Sequence, residues 1–219
     1  MNATRLYLVL YNVVQCIGWS VILLKTLWGL SSGAKFSDLY LDSELELKLF
    51  QTTAVLEILH AMAGIVRSPV GTTTMQVFSR VSILWLVLHT VNESRSSIGV
   101  PMLLVAWSLT EVIRYSFYAL NLLNYVPQCL LWMRYTFFIL LYPMGASGEL
   151  LTVFAALPEV AQKKHLTIEM PNFCNMGFSF WWFLVCFSLI YVPGFPQMYL
   201  YMFGQRKKVL CTEARKKTE

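Results

Sequence analysis

Charge is what this chain has least of. Asp, Glu, Lys and Arg make up 13% of its 219 residues, against about 25% in soluble domains. Several chemistries are missing as well. There is no glycine-rich nucleotide loop, no HExxH, and no histidine cluster, since His60, His89 and His165 lie far apart. A Cys-x5-Arg phosphatase loop is excluded because Tyr135 stands six positions after Cys129. The five cysteines, Cys16, Cys129, Cys174, Cys186 and Cys211, form no CxxC pair and have no histidine at ligand spacing, so most read as small apolar filler. The apolar run from Leu6 has no small-residue cleavage site and passes through Trp19 and Trp28, which reads as a retained first helix. No repeat or low-complexity stretch divides the chain, so a single domain over residues 1–219 is expected, with a short tail from about 204.

What is abundant is apolar residues: 57% of the chain, with a mean hydropathy of +0.56. That places it in the all-α polytopic membrane class. Six segments are long enough, or nearly so, to span ~30 Å of hydrocarbon: residues 6–30, 47–66, 75–90, 100–120, 126–142 and 177–201. These predict a bundle of six transmembrane helices. A polar connection is expected at 31–46, a stop at Arg67-Ser68-Pro69, a polar loop at 158–171, and a break or end of the sixth span at Pro193-Gly194-Phe195-Pro196.

The net charge of +5 is no nucleic-acid signature, because six of 17 basic residues fall in the last fourteen positions. With six spans both termini share one side. That side holds Arg5, Arg67, Arg206, Lys207, Lys208, Arg215, Lys216 and Lys217, against Lys35, Lys48, Arg95, Lys163 and Lys164 opposite. The bias predicts cytosolic termini. Asn92-Glu93-Ser94 is then a lumenal sequon. Lys216 and Lys217 stand fourth and third from the end, the dilysine pattern read as an endoplasmic-reticulum address.

Against this background the ionisable residues inside the spans stand out, each costing ~2.5 kcal/mol or more. Glu57 and His60 share a helix face, as do Gln76 with Arg80 and Glu111 with Arg114. Three acids and three arginines (Glu57, Glu111, Glu149; Arg80, Arg114, Arg134) balance, so ion pairs that glue helices together remain an open reading beside function. The densest stretch is 134–149. It begins at Arg134, passes through Tyr142-Pro143 and Gly145, and ends at Glu149 in an apolar setting with no cation within a turn. On an unbroken helix Tyr142 and Glu149 would fall within roughly 20° of one face, ~10 Å apart. Pro143, with Gly145 and Gly148, predicts instead a kink or stop there. Either way, two groups able to exchange protons flank one gap. For Tyr142 alone an interfacial belt tyrosine is the plain alternative.

The motifs Gln51-Thr52-Thr53-Ala54-Val55-Leu56-Glu57-Ile58-Leu59-His60, Arg67-Ser68-Pro69, Gln76-Val77-Phe78-Ser79-Arg80, Trp107-Ser108-Leu109-Thr110-Glu111-Val112-Ile113-Arg114-Tyr115 and Tyr142-Pro143-x-Gly145-x-x-x-Glu149 resemble the very-long-chain 3-hydroxyacyl-CoA dehydratases, over residues 7–208. The plant members look most similar. The resemblance implies a six-span enzyme of the endoplasmic-reticulum membrane that removes water from a (3R)-3-hydroxyacyl-CoA to give a trans-2-enoyl-CoA, the third step of fatty-acid elongation. It implies Tyr142 and Glu149 as the catalytic pair and Glu57, Gln76, Arg80, Arg134 and Gly145 as supporting positions. It also implies no metal or redox cofactor, a long-chain hydroxyacyl-CoA as substrate, and other elongase subunits as partners. The competing readings are a phosphatase-like scaffold without turnover and a small transporter. The transporter lacks paired discontinuous helices in two related halves.

Overall fold

The computed structural model describes residues 2–66, 68–171, 173 and 175–216, with side chains to 209. Arg67, Cys174 and Lys217 therefore lie outside the described residues, as do the side chains of Lys216 and Cys211. The described chain is all-helical but for one isolated bridge between Ile168 and Phe178. The helices are α1 (Ala3–Ser31), α2 (Phe36–Thr53), α3 (Val55–Met62), α4 (Val70–Ser82), α5 (Gly99–Leu122), α6 (Gln128–Arg134), α7 (Phe138–Lys163) and α8 (Phe180–Lys216). A π-helical segment, Ile83–Leu88, extends α4, and a short 3-10 turn, Glu93–Ser96, leads to α5.

Among the described residues, three helices are long and apolar enough to cross a membrane: α1, α7 and the Phe180–Val209 part of α8. The surface fits that solvent. Leu10, Ile17 and Leu24 on α1, Leu140 on α7, and Leu189, Ile190 and Val192 on α8 all face outward, while Glu111, Glu149 and Glu159 are buried. Apolar residues outside and carboxylates inside invert the soluble pattern. Three polar side chains on α1 bond back to their own helix, Asn12 donating to the Leu8 carbonyl, Ser20 to that of Cys16 and Thr26 to that of Ile22. Arg5 caps the end of α5 by donating to the Leu122 carbonyl.

α5 is the hub, packed on α1 and α7, with α2 beside α1 and α8 against α7. It packs tightly on α7 at Gly99 and Gly148. A Cβ on Gly148 would lie 2.8 Å from the Leu103 backbone nitrogen and 2.9 Å from the Gly99 carbonyl oxygen. Small residues that let backbones touch are the usual means of helix association in a membrane.

Of the expected segments, 6–30 falls within α1 and 100–120 within α5. Elsewhere the boundaries move. The polar connection at 31–46 is mostly helix: α2 starts at Phe36, and Lys25 pairs with Glu46 across α1 and α2. The stretch 126–142 is no single helix, for α6 ends at Arg134 and α7 begins at Phe138. The intervening Tyr135-Thr136-Phe137 run is aromatic and β-branched, which disfavours helix.

Conversely, α7 does not stop at Pro143, and α8 continues through Pro193 and Pro196. A proline inside a helix strips the carbonyl four residues back of its partner. For Pro143 that carbonyl is Ile139, and the Tyr199 hydroxyl of α8 donates to it at 3.0 Å. A neighbouring helix thus supplies the missing donor, as membrane helices permit.

Candidate active site

With α7 unbroken, Tyr142 and Glu149 sit two turns apart on one helix, ~10 Å along its axis. The Tyr142 ring is stacked against Phe195 and Tyr199, at centroid distances of 5.3 and 6.0 Å. Its hydroxyl makes no hydrogen bond to the described residues, and it lies within electrostatic reach of both Glu149 and Arg80.

Glu149 is 7% exposed, and its carboxylate is met by three groups from three helices. The Trp107 indole N–H of α5 donates to Oε1 at 2.8 Å. On the other oxygen, Oε2, the Tyr191 hydroxyl of α8 donates and the Ser79 hydroxyl of α4 approaches to 3.2 Å. Ser79 and Tyr191 also touch, 2.8 Å apart. Among the described residues no cation pairs with this acid, as the sequence suggests, but it is not bare: every donor is neutral. Serine, tryptophan and tyrosine are ordinary residues in apolar helices, so spacing could not single these three out. Ser79 and Trp107 do fall inside the quoted motifs; Tyr191 lies in none of them.

A second group continues from the first. The Arg80 guanidinium lies 5.7 Å from the centre of the Trp107 ring and pairs with Glu111. Arg114 donates through Nε to Glu111 at 2.6 Å and grips Glu57 bidentately at 2.6 and 2.9 Å. Tyr115 also donates to Glu57, and Tyr11 approaches it at 3.5 Å. Two arginines and two glutamates cancel in charge, which is what a low-dielectric interior tolerates. Glu57, Arg80, Glu111 and Arg114 therefore form one neutral network linked to Glu149 through the Trp107 ring. His60 stays apart from it, bonded to Tyr7 at 2.9 Å.

The remaining expected residues divide. Arg134, at the end of α6, lies against the Phe117, Tyr118 and Tyr135 rings at 4.4, 4.6 and 5.8 Å, and donates to the Tyr118 hydroxyl at 3.1 Å. Its Nε is buried with no hydrogen-bond partner among the described residues. Gln76 is exposed on α4 and joins neither group. Gly145 faces α5, where an added Cβ would come within 3.4 Å of Ala106 Cβ. Its neighbour Gly148, beside Glu149, is the tighter contact. Among the described residues no cluster of His, Cys, Asp and Glu is suited to holding a metal ion.

A family model described as protein tyrosine phosphatase-like protein, PTPLA, matches residues 51–212. A Caenorhabditis elegans protein named very-long-chain (3R)-3-hydroxyacyl-CoA dehydratase hpo-8 is 60% identical over 98% of this chain and 99% of its own length. The human very-long-chain (3R)-3-hydroxyacyl-CoA dehydratase 2 is 48% identical, over 97% of this chain and 84% of its own. The Arabidopsis thaliana dehydratase PASTICCINO 2 is 41% identical over 96% of each. The nematode and human proteins are thus more similar than this plant one, which corrects the expected leaning towards plant members. No solved structure matches the chain.

Proposed function

Since the chain belongs to the protein tyrosine phosphatase-like family, we propose that it is a very-long-chain (3R)-3-hydroxyacyl-CoA dehydratase, a hydro-lyase. The observation that carries the reading is Glu149: a buried carboxylate that has no counter-cation among the described residues, on the same helix as a tyrosine whose hydroxyl bonds to none of them. A helix-gluing acid would be expected to pair with an arginine, as Glu57 and Glu111 do.

The reaction requires one proton removed from the carbon next to the thioester and one delivered to the departing hydroxyl. The C–H electrons become the new double bond as the C–O bond breaks and water leaves. Glu149 and Tyr142 divide these two transfers. Arg80, held by Glu111 and lying near Trp107, directs positive charge to the same region and polarises the thioester carbonyl. Arg134 has one guanidinium bond to the described residues, leaving donors for a phosphate-bearing headgroup. Gln76, exposed and unengaged, is available to the substrate as well. Glu57 and Gly145 act indirectly, the first by fixing Arg114 and the second by letting α7 approach α5. The acyl chain lies among the apolar helix faces.

The same reading covers topology and location. Six spans result if α2 with α3, and α4 with its π segment, join α1, α5, α7 and α8 as crossings. Both termini are then cytosolic, the dilysine at Lys216 and Lys217 returns the protein to the endoplasmic reticulum, and other elongase subunits are its partners. The whole chain is one domain with a tail from about 204. Purified protein in detergent, given a 3-hydroxyacyl-CoA, forms the trans-2-enoyl-CoA. Full activity in both Tyr142→Phe and Glu149→Gln would overturn the assignment.

A further inference from the structure

The donors around Glu149 do not fall evenly on its two oxygens. A carboxylate offers about four lone-pair sites, two on each oxygen. Oε2 is enclosed by two hydroxyls, Tyr191 donating and Ser79 at 3.2 Å, themselves 2.8 Å apart. Oε1 has only the Trp107 indole N–H, at 2.8 Å. The two hydroxyls have two hydrogens for three contacts, so Tyr191 donates to Oε2 while Ser79 backs it, bonded to Tyr191 or to Oε2. The two hydroxyls come from α4 and α8, elements on either side of α7 in the sequence, and the Tyr191 ring is itself held edge-on against Phe187 at 5.6 Å. Their arrangement fixes how the carboxylate is rotated.

We propose that Tyr191 and Ser79 are positioning residues: together they hold Oε2 of Glu149 and so fix the rotation at which its carboxylate meets the substrate. This rests on the reading of Glu149 as a catalytic acid–base group. Tyr191 and Ser79 touch no reacting atom; they act through the carboxylate. Freed from them, the carboxylate rotates and presents either oxygen, so the transition state loses alignment while ground-state binding of the thioester and headgroup is untouched.

The test measures kcat and KM for 3-hydroxyacyl-CoA dehydration by the full-length protein in detergent, with thermal unfolding of each variant alongside. Tyr191→Phe, which keeps the ring, and Ser79→Ala each lower kcat by about 10- to 100-fold, the scale of one hydrogen bond to a charged group. KM stays within about twofold, and Ser79→Thr recovers most of what Ser79→Ala loses. Unchanged kcat in Tyr191→Phe and Ser79→Ala, with Glu149→Gln inactive, overturns the positioning role alone. A loss that tracks a fall in melting temperature and is not recovered by Ser79→Thr also overturns it, marking the hydroxyls as packing. Activity retained in Glu149→Gln removes the catalytic reading and this proposal with it.

Discussion

Helix α7 carries two buried glutamates ten positions apart, and they are treated in opposite ways. Glu159 is 3% exposed and is met by the Lys163 ammonium at 2.8 Å, the His165 ring nitrogen at 3.1 Å and the Glu93 backbone N–H at 2.7 Å. Glu149 is 7% exposed and is met by an indole and two hydroxyls. Both have three neighbours, so hydrogen-bond number does not separate them; the charge of the neighbours does. A carboxylate facing an ammonium is committed to that partner and anchors the end of α7 to the 3-10 turn before α5. One facing only neutral donors is held in place without being committed to a cation, as the proposed acid–base role requires. Burial alone marks neither as functional.

The largest expected effect breaks the comparison at Glu149, its proposed catalytic end. Glu149→Gln and Tyr142→Phe each lower the dehydration rate at least about 100-fold, the usual contribution of a positioned acid or base, while Glu159→Gln stays within a few-fold of the parent in the same assay. Next comes Gly148→Ala. Its Cβ would meet backbone atoms of α5, so α7 is pushed away and stability falls by about 1–3 kcal/mol, read as thermal unfolding in detergent together with loss of activity. Gly145→Ala, whose nearest neighbour is a single methyl at 3.4 Å, costs less than half as much. Glu159→Ala tests the anchoring end: it removes three bonds yet leaves the largely exposed Lys163 in solvent, so it lowers stability by about 1–3 kcal/mol with little change in kcat. Tyr199→Phe is the smallest effect. It leaves the Ile139 carbonyl opposite Pro143 without its donor, at about 1 kcal/mol.

Much of this architecture could be read along the chain because its causes are local. The apolar runs of α1 and α5 end within a few residues of where hydropathy puts them. Tyr142, Glu149, Arg80 and Glu57 stand out because an ionisable or hydroxyl-bearing group in an apolar helix is costly wherever it packs. Local rules failed where a distant side chain supplied what the local sequence lacked. Pro143 reads as a helix breaker until Tyr199, 56 positions on, donates to the carbonyl it orphans. Asp38, Asp42 and Glu44 read as a loop, yet they lie on α2, where Lys48 pairs with Glu44 one turn away.

By itself the sequence determined the solvent this protein is built for, the helical class and the acid, tyrosine and arginines that carry the proposed chemistry, since each follows from the free energy of placing a given side chain in hydrocarbon. Only the tertiary structure decided which of those groups are spent on one another. Arg114 is divided between Glu57 and Glu111, Arg80 is held by Glu111, and Glu159 is taken by Lys163 and His165. Glu149 alone among these four glutamates has only neutral partners among the described residues, because α4, α5 and α8 bring Ser79, Trp107 and Tyr191 to it from 70, 42 and 42 positions away. Partnership at that separation is set by helix packing, which no short stretch of sequence encodes.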